Sequence, residues 1–143
     1  DVLIGSLVGD DLNKMQNLFD TRNFKHKKGF KELLQEKINR IGFDDSEFEL
    51  IEGDVQTTAC NFIEKRPGFK ISLLYVDLDL AAPTYSVLSA FWDRVSKGGI
   101  VVFDEYAYHQ WSESKGADKF FNKKGVKIKS LNYQAPTAYV IKE

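Results

Sequence analysis

The chain has 143 residues with Lys+Arg 20 against Asp+Glu 21, a formal net charge of -1 and 43% apolar residues; this is enough for one domain with a real core and not comfortably two. That balance excludes the electrostatic footprint of a nucleic-acid binder, since the densest basic run, KHKK at 25–28, opens a helical pattern and reads as a solvated face. The lone Cys60 excludes an internal disulfide and fits a cytoplasmic protein, no run approaches the ~18 apolar residues of a membrane span, and a first residue of Asp rather than Met suggests a start inside a longer gene product.

Residues 1–9, DVLIGSLVG, read as a short strand or packed loop; two glycines at this spacing lack the full pattern of a nucleotide-binding turn. Leu12, Met15, Leu18 and Phe19 have helical spacing within 10–22. Between Phe24 and Ile41, Phe30, Leu33, Leu34, Ile38 and Ile41 mark one face of a helix that Gly42 stops, and His26 at its start has no acidic or cysteine partner one turn away. FELIE at 48–52 alternates as a short strand does and ends on Gly53 and Asp54. Thr57 or Thr58 caps the next short helix, whose inner face is Ala59, Phe62 and Ile63, and Pro67-Gly68 ends it.

The stretch ISLLYVDLDLAAPT, 71–84, is an apolar run closing on Asp77 and Asp79, the pattern of a buried parallel strand stopping at a sheet edge. Pro83 and Thr84 open a helix with Val87, Leu88, Phe91, Trp92 and Val95 buried, and Lys97-Gly98-Gly99 closes it. IVVF, 100–103, is a second buried strand and also ends on acids, Asp104 and Glu105. An aromatic loop at 106–112 leads into a helix over about 113–123 with Ala117, Phe120 and Phe121 inward; VKIKSLN and TAYVIKE, joined by a link containing Pro136, form a terminal antiparallel hairpin. Alternating strands and helices imply an α/β fold, a mostly parallel sheet with helices on both faces.

The helix between the two acid-ended strands makes them parallel, so Asp77, Asp79, Asp104 and Glu105 are expected in one crevice, where ligands bind in open α/β sheets. Clustered carboxylates repel unless a cation lies between them, and an oxygen-only set without Cys or His suits Mg²⁺, Mn²⁺ or Ca²⁺ rather than zinc. The bland alternative is that Asp79 caps the next helix and Glu105 faces solvent.

These strings, GDV, LLYVDLDLAAPT, KGGIVVFDEY and TAYVIKE, resemble the macrocin O-methyltransferase family over about residues 48–143, and more loosely before. The resemblance implies a Rossmann-like class I methyltransferase sheet of order 3-2-1-4-5-7-6, mostly parallel with a C-terminal antiparallel hairpin, in a single domain over 1–143. It implies an S-adenosylmethionine- and Mg²⁺-dependent O-methyltransferase acting on a hydroxyl of a sugar or related natural product. By the family pattern Asp77, Asp104 and Glu105 match the metal ligands, Asp79 the general base, and Asp54, followed by Val55, the acid near the cofactor adenine. Glu105 stands where some members have Asp, and Ala81 where the family often has Tyr. Neither the glycine-rich loop after a first strand nor the ribose-binding acid after a second is found upstream of residue 48, so the chain is expected to start after both, with little cofactor pocket and weak or no binding of S-adenosylmethionine. The open edge of the 71–77 strand then needs cover, from the 48–52 strand, from residues 2–8 or, preferred here, from a second copy in a homodimer. Rival readings are a glycosyltransferase using D-x-D, which leaves GGIVVFDE unexplained, a haloacid-dehalogenase-type phosphatase, and a methyltransferase-like dimer without activity.

Overall fold

The computed structural model describes residues 9–22, 29–130 and 137–143, with backbone alone at 19–22. Expectations for residues 1–8, for KHKK and His26, and for the link containing Pro136 lie outside the described residues. Two compact units form, Asp1–Asp54 and Val55–Glu143.

The first unit holds helices α1, Asp10–Arg22, and α2, Phe30–Arg40. Asp10 and Asp11 stand in the first turn of α1, where carboxylates meet the positive end of the helix dipole. Gly29, at φ 86, leads into α2; past its end Ile41 N–H donates to Ile38 O at 3.2 Å and Gly42, at φ 104, donates to Asn39 O at 3.0 Å. The helix ends where Gly42 indicates, yet its apolar stripe is not core: α2 has no buried residue, and Phe30 is 51% and Ile41 74% exposed. Periodicity gives a helix an apolar face but does not supply a surface to bury it. The strand expected at 48–52 is also absent; the segment runs without secondary structure, because alternation makes a strand only where a ladder partner accepts its amides.

The second unit runs α3 (Val55–Lys65), β1 (Ile71–Val76), α4 (Ala81–Phe91) with a 3₁₀ turn (Trp92–Arg94), β2 (Val95–Phe103), α5 (Glu113–Phe121) with a 3₁₀ turn (Asn122–Lys124), β3 (Lys129–Ser130) and β4 (Ala138–Ile141). Helix α3 starts at Val55, so Thr57 and Thr58 are inside its first turn rather than capping it. The sheet order is β1-β2-β4-β3, with β1 and β2 parallel and β4 antiparallel to both β2 and β3. That order reproduces the 4-5-7-6 side of the sheet implied by the resemblance, with the terminal hairpin in place.

Helix α4 packs against both α3 and α5, so the three helices form one layer. Beneath them Val76, Val101, Phe103 and Val140 project from the sheet and meet Leu88, Trp92, Ala117 and Phe121, all buried. Trp92 and Phe121 stack edge to face with centroids 5.0 Å apart, which makes these aromatics core rather than a stacking platform. On the opposite face Leu73 is 60%, Tyr75 55%, Ile100 38% and Ile141 41% exposed. Among the described residues β1 pairs with β2 alone, and no helix is long and apolar enough to cross a membrane.

Candidate active site

Strand β1 ends at Val76, and the ladder with β2 is extended by one bond, from Asp104 N–H to Val76 O at 3.0 Å. That bond sets Asp104 beside the residue preceding Asp77, so the two acid-bearing loops leave the same end of two neighbouring parallel strands. The chain does not remain extended past Asp77. Leu80 N–H donates to Leu78 O at 2.6 Å, and Asp79, at the apex of that tight turn, has φ 59. Asp is one of the few residues other than glycine that visits this region readily, and such conformations collect at functional sites. The half-buried Asp79 is therefore aimed by a turn, not by the pleat of a continuing strand.

At this end of the two strands the charges of the neighbouring acids act on Asp79 and Glu105. Burial pushes the Asp79 carboxyl up to about 6, and the charges of Asp77, Glu105 and Asp104 add to the rise. Glu105 is also raised, by burial and then by Asp104 and Asp77. The Tyr75 hydroxyl donates to Asp104 Oδ1, and this hydrogen bond, ahead of burial and the neighbouring charges, pushes the phenol up to about 12. Asp54 closes the first unit, and Val55 is the first residue of α3, partly buried against the core of the second.

One participant was not singled out in the sequence. Glu113, in the first turn of α5, is 0% exposed. Its Oε2 accepts from Leu78 N–H at 3.2 Å and its Oε1 from Glu105 N–H at 3.2 Å. Burial raises its pKa, opposed by hydrogen bonds from the amides of Leu78, Glu105 and Asp79. Ser112 beside it donates its N–H to Asp79 O at 2.9 Å and accepts from Ala81 N–H through Oγ at 2.9 Å. Only the acidic residue in a first helical turn hinted at Glu113, and that position ordinarily faces solvent.

The donors at the strand ends are all oxygens, the set that Mg²⁺ or Mn²⁺ takes, and their mutual repulsion marks a site of uncompensated negative charge that a cation would relieve. Among the described residues no group of three or more His, Cys, Asp or Glu is already drawn together to hold a metal ion. Like charges without a counter-ion stand apart, and Asp104 is engaged with Tyr75, so the donor chemistry fits while the side chains would have to converge. For the methyl donor the fit is narrower. The strand-to-helix connections after β1 and β2 carry no glycine, so the described residues offer no glycine-rich turn for the methionine end of the cofactor.

Comparison with solved structures finds the apo form of CalS11, a TDP-rhamnose 3'-O-methyltransferase in calicheamicin biosynthesis, at 30% identity and TM-score 0.72, over 82% of this chain and 54% of that one. A second CalS11 structure, titled calicheamicin methyltransferase, matches at 29% identity and TM-score 0.72 over 81% of this chain and 48% of that one. The O-methyltransferase NovP shares the fold at 17% identity and TM-score 0.74, over 97% of this chain and 54% of that one. The chain thus spans about half the length of the solved proteins it matches. Comparison with curated protein sequences finds no match. The family described as Macrocin-O-methyltransferase (TylF) matches residues 9–136, nearly the whole chain. By this match the chain belongs to the macrocin O-methyltransferase (TylF) family, and its fold is that of the class I methyltransferases.

Proposed function

We propose that this chain carries the acidic half of the active site of an S-adenosylmethionine- and Mg²⁺-dependent O-methyltransferase whose acceptor is a hydroxyl of a sugar or related glycoside. The observation that carries this reading is that Asp77, Asp79, Asp104 and Glu105 leave the same end of two parallel strands, where the charges of Asp77 and Asp104 help to raise both Asp79 and Glu105. Family membership supports methyl transfer, and the sugar methyltransferase CalS11 supports the acceptor class.

Asp77, Asp104 and Glu105 would hold the cation. Bound Mg²⁺ supplies Lewis-acid polarisation of the acceptor hydroxyl and a template that orients it, and S-adenosylmethionine supplies the methyl group. Asp79 would accept the hydroxyl proton; burial, the main cause of its raised carboxyl, makes it a stronger base than an ordinary aspartate. The turn at Asp79 and the ladder bond from Asp104 fix the base and one ligand on rigid backbone, so catalysis is positioning plus charge neutralisation. From the cofactor side the chain would contribute Asp54 and Val55 near the adenine.

The acceptor is a small molecule; the near-neutral charge offers no nucleic-acid footprint. The free, exposed Cys60 supports a cytoplasmic setting. A homodimer is part of the proposal, supported by β1, which among the described residues pairs with β2 alone. The test is to titrate Mn²⁺ and labelled S-adenosylmethionine separately into the purified chain, then assay methyl transfer to a panel of sugar nucleotides and glycosides. Mn²⁺ binding is expected, with weak cofactor binding from these residues alone. Methyl transfer belongs to a chain supplied with the remaining cofactor pocket. Tight cofactor binding would overturn the claim that this half lacks the methionine-binding elements. Sugar-nucleotide binding with no methyl transfer from such a completed chain would instead favour the glycosyltransferase reading.

A further inference from the structure

We propose that Glu113 is a positioning residue that sets the spacing between the two acid-bearing loops and thereby the affinity of the site for a divalent cation; this rests on the metal reading given above. Glu113 sits in the first turn of α5, where an acidic side chain ordinarily faces solvent or turns back to the amides of its own helix. Here its oxygens reach two other segments. Oε2 takes the amide of Leu78, between Asp77 and Asp79, and Oε1 takes the amide of Glu105, next to Asp104. One carboxylate thus spans the turn after β1 and the turn after β2, beyond the point where ladder bonds hold the strands together. Ser112 ties the same turn a second time through Asp79 O and Ala81 N.

A role in stability alone accounts poorly for this arrangement. Glu113 is 0% exposed, and burying a carboxylate costs several kcal/mol that an acid turned to solvent at the same helix start would not incur. A carboxylate does what an apolar group cannot: with acceptor oxygens on both sides it binds two amides from different loops and fixes the distance between them. Glutamine has the same shape but turns an NH₂ toward one of those amides, so one of the two links is lost.

The experiment measures Mn²⁺ affinity by calorimetry on the wild-type chain, on Glu113→Gln and on Val140→Ala, a core truncation in β4 that serves as a control for lost stability. Backbone amide hydrogen exchange is followed by NMR in the same three proteins. Glu113→Gln is expected to weaken Mn²⁺ by about tenfold or more, the usual effect of removing a partner that orients metal ligands, while Val140→Ala keeps wild-type affinity. The amides of Leu78 and Glu105 are expected to be protected in the wild type and to lose protection in Glu113→Gln, with Val101 and Phe103 in β2 keeping theirs. Wild-type affinity in a folded Glu113→Gln overturns the proposal, as does equal weakening in Val140→Ala. Should Glu113→Gln fail to fold, the wild type decides: free exchange at Leu78 and Glu105 overturns the clamp, and protection at both supports it. A wild type that binds no Mn²⁺ overturns the metal reading and with it the affinity claim, while the exchange data still judge the clamp.

Discussion

At the scale of single residues, Asp79 and Asp104 carry different tasks that substitution separates. Asp104 Oδ1 accepts from the Tyr75 hydroxyl at the end of β2, and its backbone is tied to Val76. Mn²⁺ should raise the melting temperature of the wild type by mass action, and Asp104→Asn should abolish the rise; an unchanged rise would remove Asp104 from the metal site. Asp79 has φ 59, a conformation that Asn also tolerates, so Asp79→Asn removes the charge without straining the turn. In a chain complete enough to turn over, that variant should lower kcat by about a hundredfold or more while the Mn²⁺ response survives. Loss of the Mn²⁺ response instead would make Asp79 a ligand. The sign of the pH dependence also follows. The folded chain holds the Asp79 proton up to about 6, whereas the unfolded chain releases it near 3.8. The folded state therefore binds more protons between these values, and stability is lost as the pH rises through about 6. Thermal midpoints of the metal-free wild type should fall across that window, and less steeply in Asp79→Asn. A rise, or parallel slopes, would contradict the burial and charge repulsion that set this shift.

At the scale of elements, the close approach of α4 and α5 holds the acid loops in place. A Cβ built on Gly116 would clash with Ala81 O and stand 3.0 Å from Thr84 Cβ, so this glycine lets α5 lie against the first turn of α4. Gly116→Ala should destabilise by about 1–3 kcal/mol in urea unfolding, the range for overpacking a dense contact; wild-type stability would mean that the helices slide apart freely. The glycines at 98 and 99 are a lesson in how far local pattern reaches. K-G-G reads as a helix stop, but β2 already starts at Val95 and the glycines lie within it. Ile71 pairs with Val95 and Leu73 with Ile100, so the extra residues form an irregularity, with Gly98 at φ 79 and Gly99 packed 2.8 Å, at an added Cβ, from Ser96 O. Lys142 completes this corner: its Nζ donates to Trp92 O at 2.8 Å and to Val95 O at 2.9 Å. No local signal links a lysine just past the final strand to the end of a helix some fifty positions earlier.

At the scale of the whole molecule, the bare face of the sheet concerns assembly. Leu73, Ile100 and Ile141 are paired in register across β1, β2 and β4, and Tyr75, Val102 and Tyr139 form the neighbouring row. The first row is exposed at every position, and among the described residues β1 pairs with β2 alone. In the proposed homodimer a second copy of the chain would meet this edge and these rows about a two-fold axis. Light scattering should give the mass of a dimer, and Leu73→Lys, which places a charge on an already exposed position, should give a monomer without loss of fold. A stable wild-type monomer would overturn the dimer.

The sequence by itself determined the second unit and its acids. Apolar runs that close on charge fix where a strand stops, a helix of one crossover length makes two such strands parallel neighbours, and the strand ends then have to share one side of the sheet. Asp77, Asp79, Asp104 and Glu105 were legible for that reason, and the terminal hairpin followed from its alternation. Tertiary structure decided what depends on a partner. Among the described residues FELIE alternates but has no ladder, and the stripe of α2 is periodic but no residue of it is fully buried, since burial is a property of a pair of surfaces and not of one segment. The aim of Asp79 was decided by a turn whose amides are held from 31 to 35 positions away, by Ser112 and Glu113, and hydrogen bonds between segments so far apart in the chain leave no trace in local spacing.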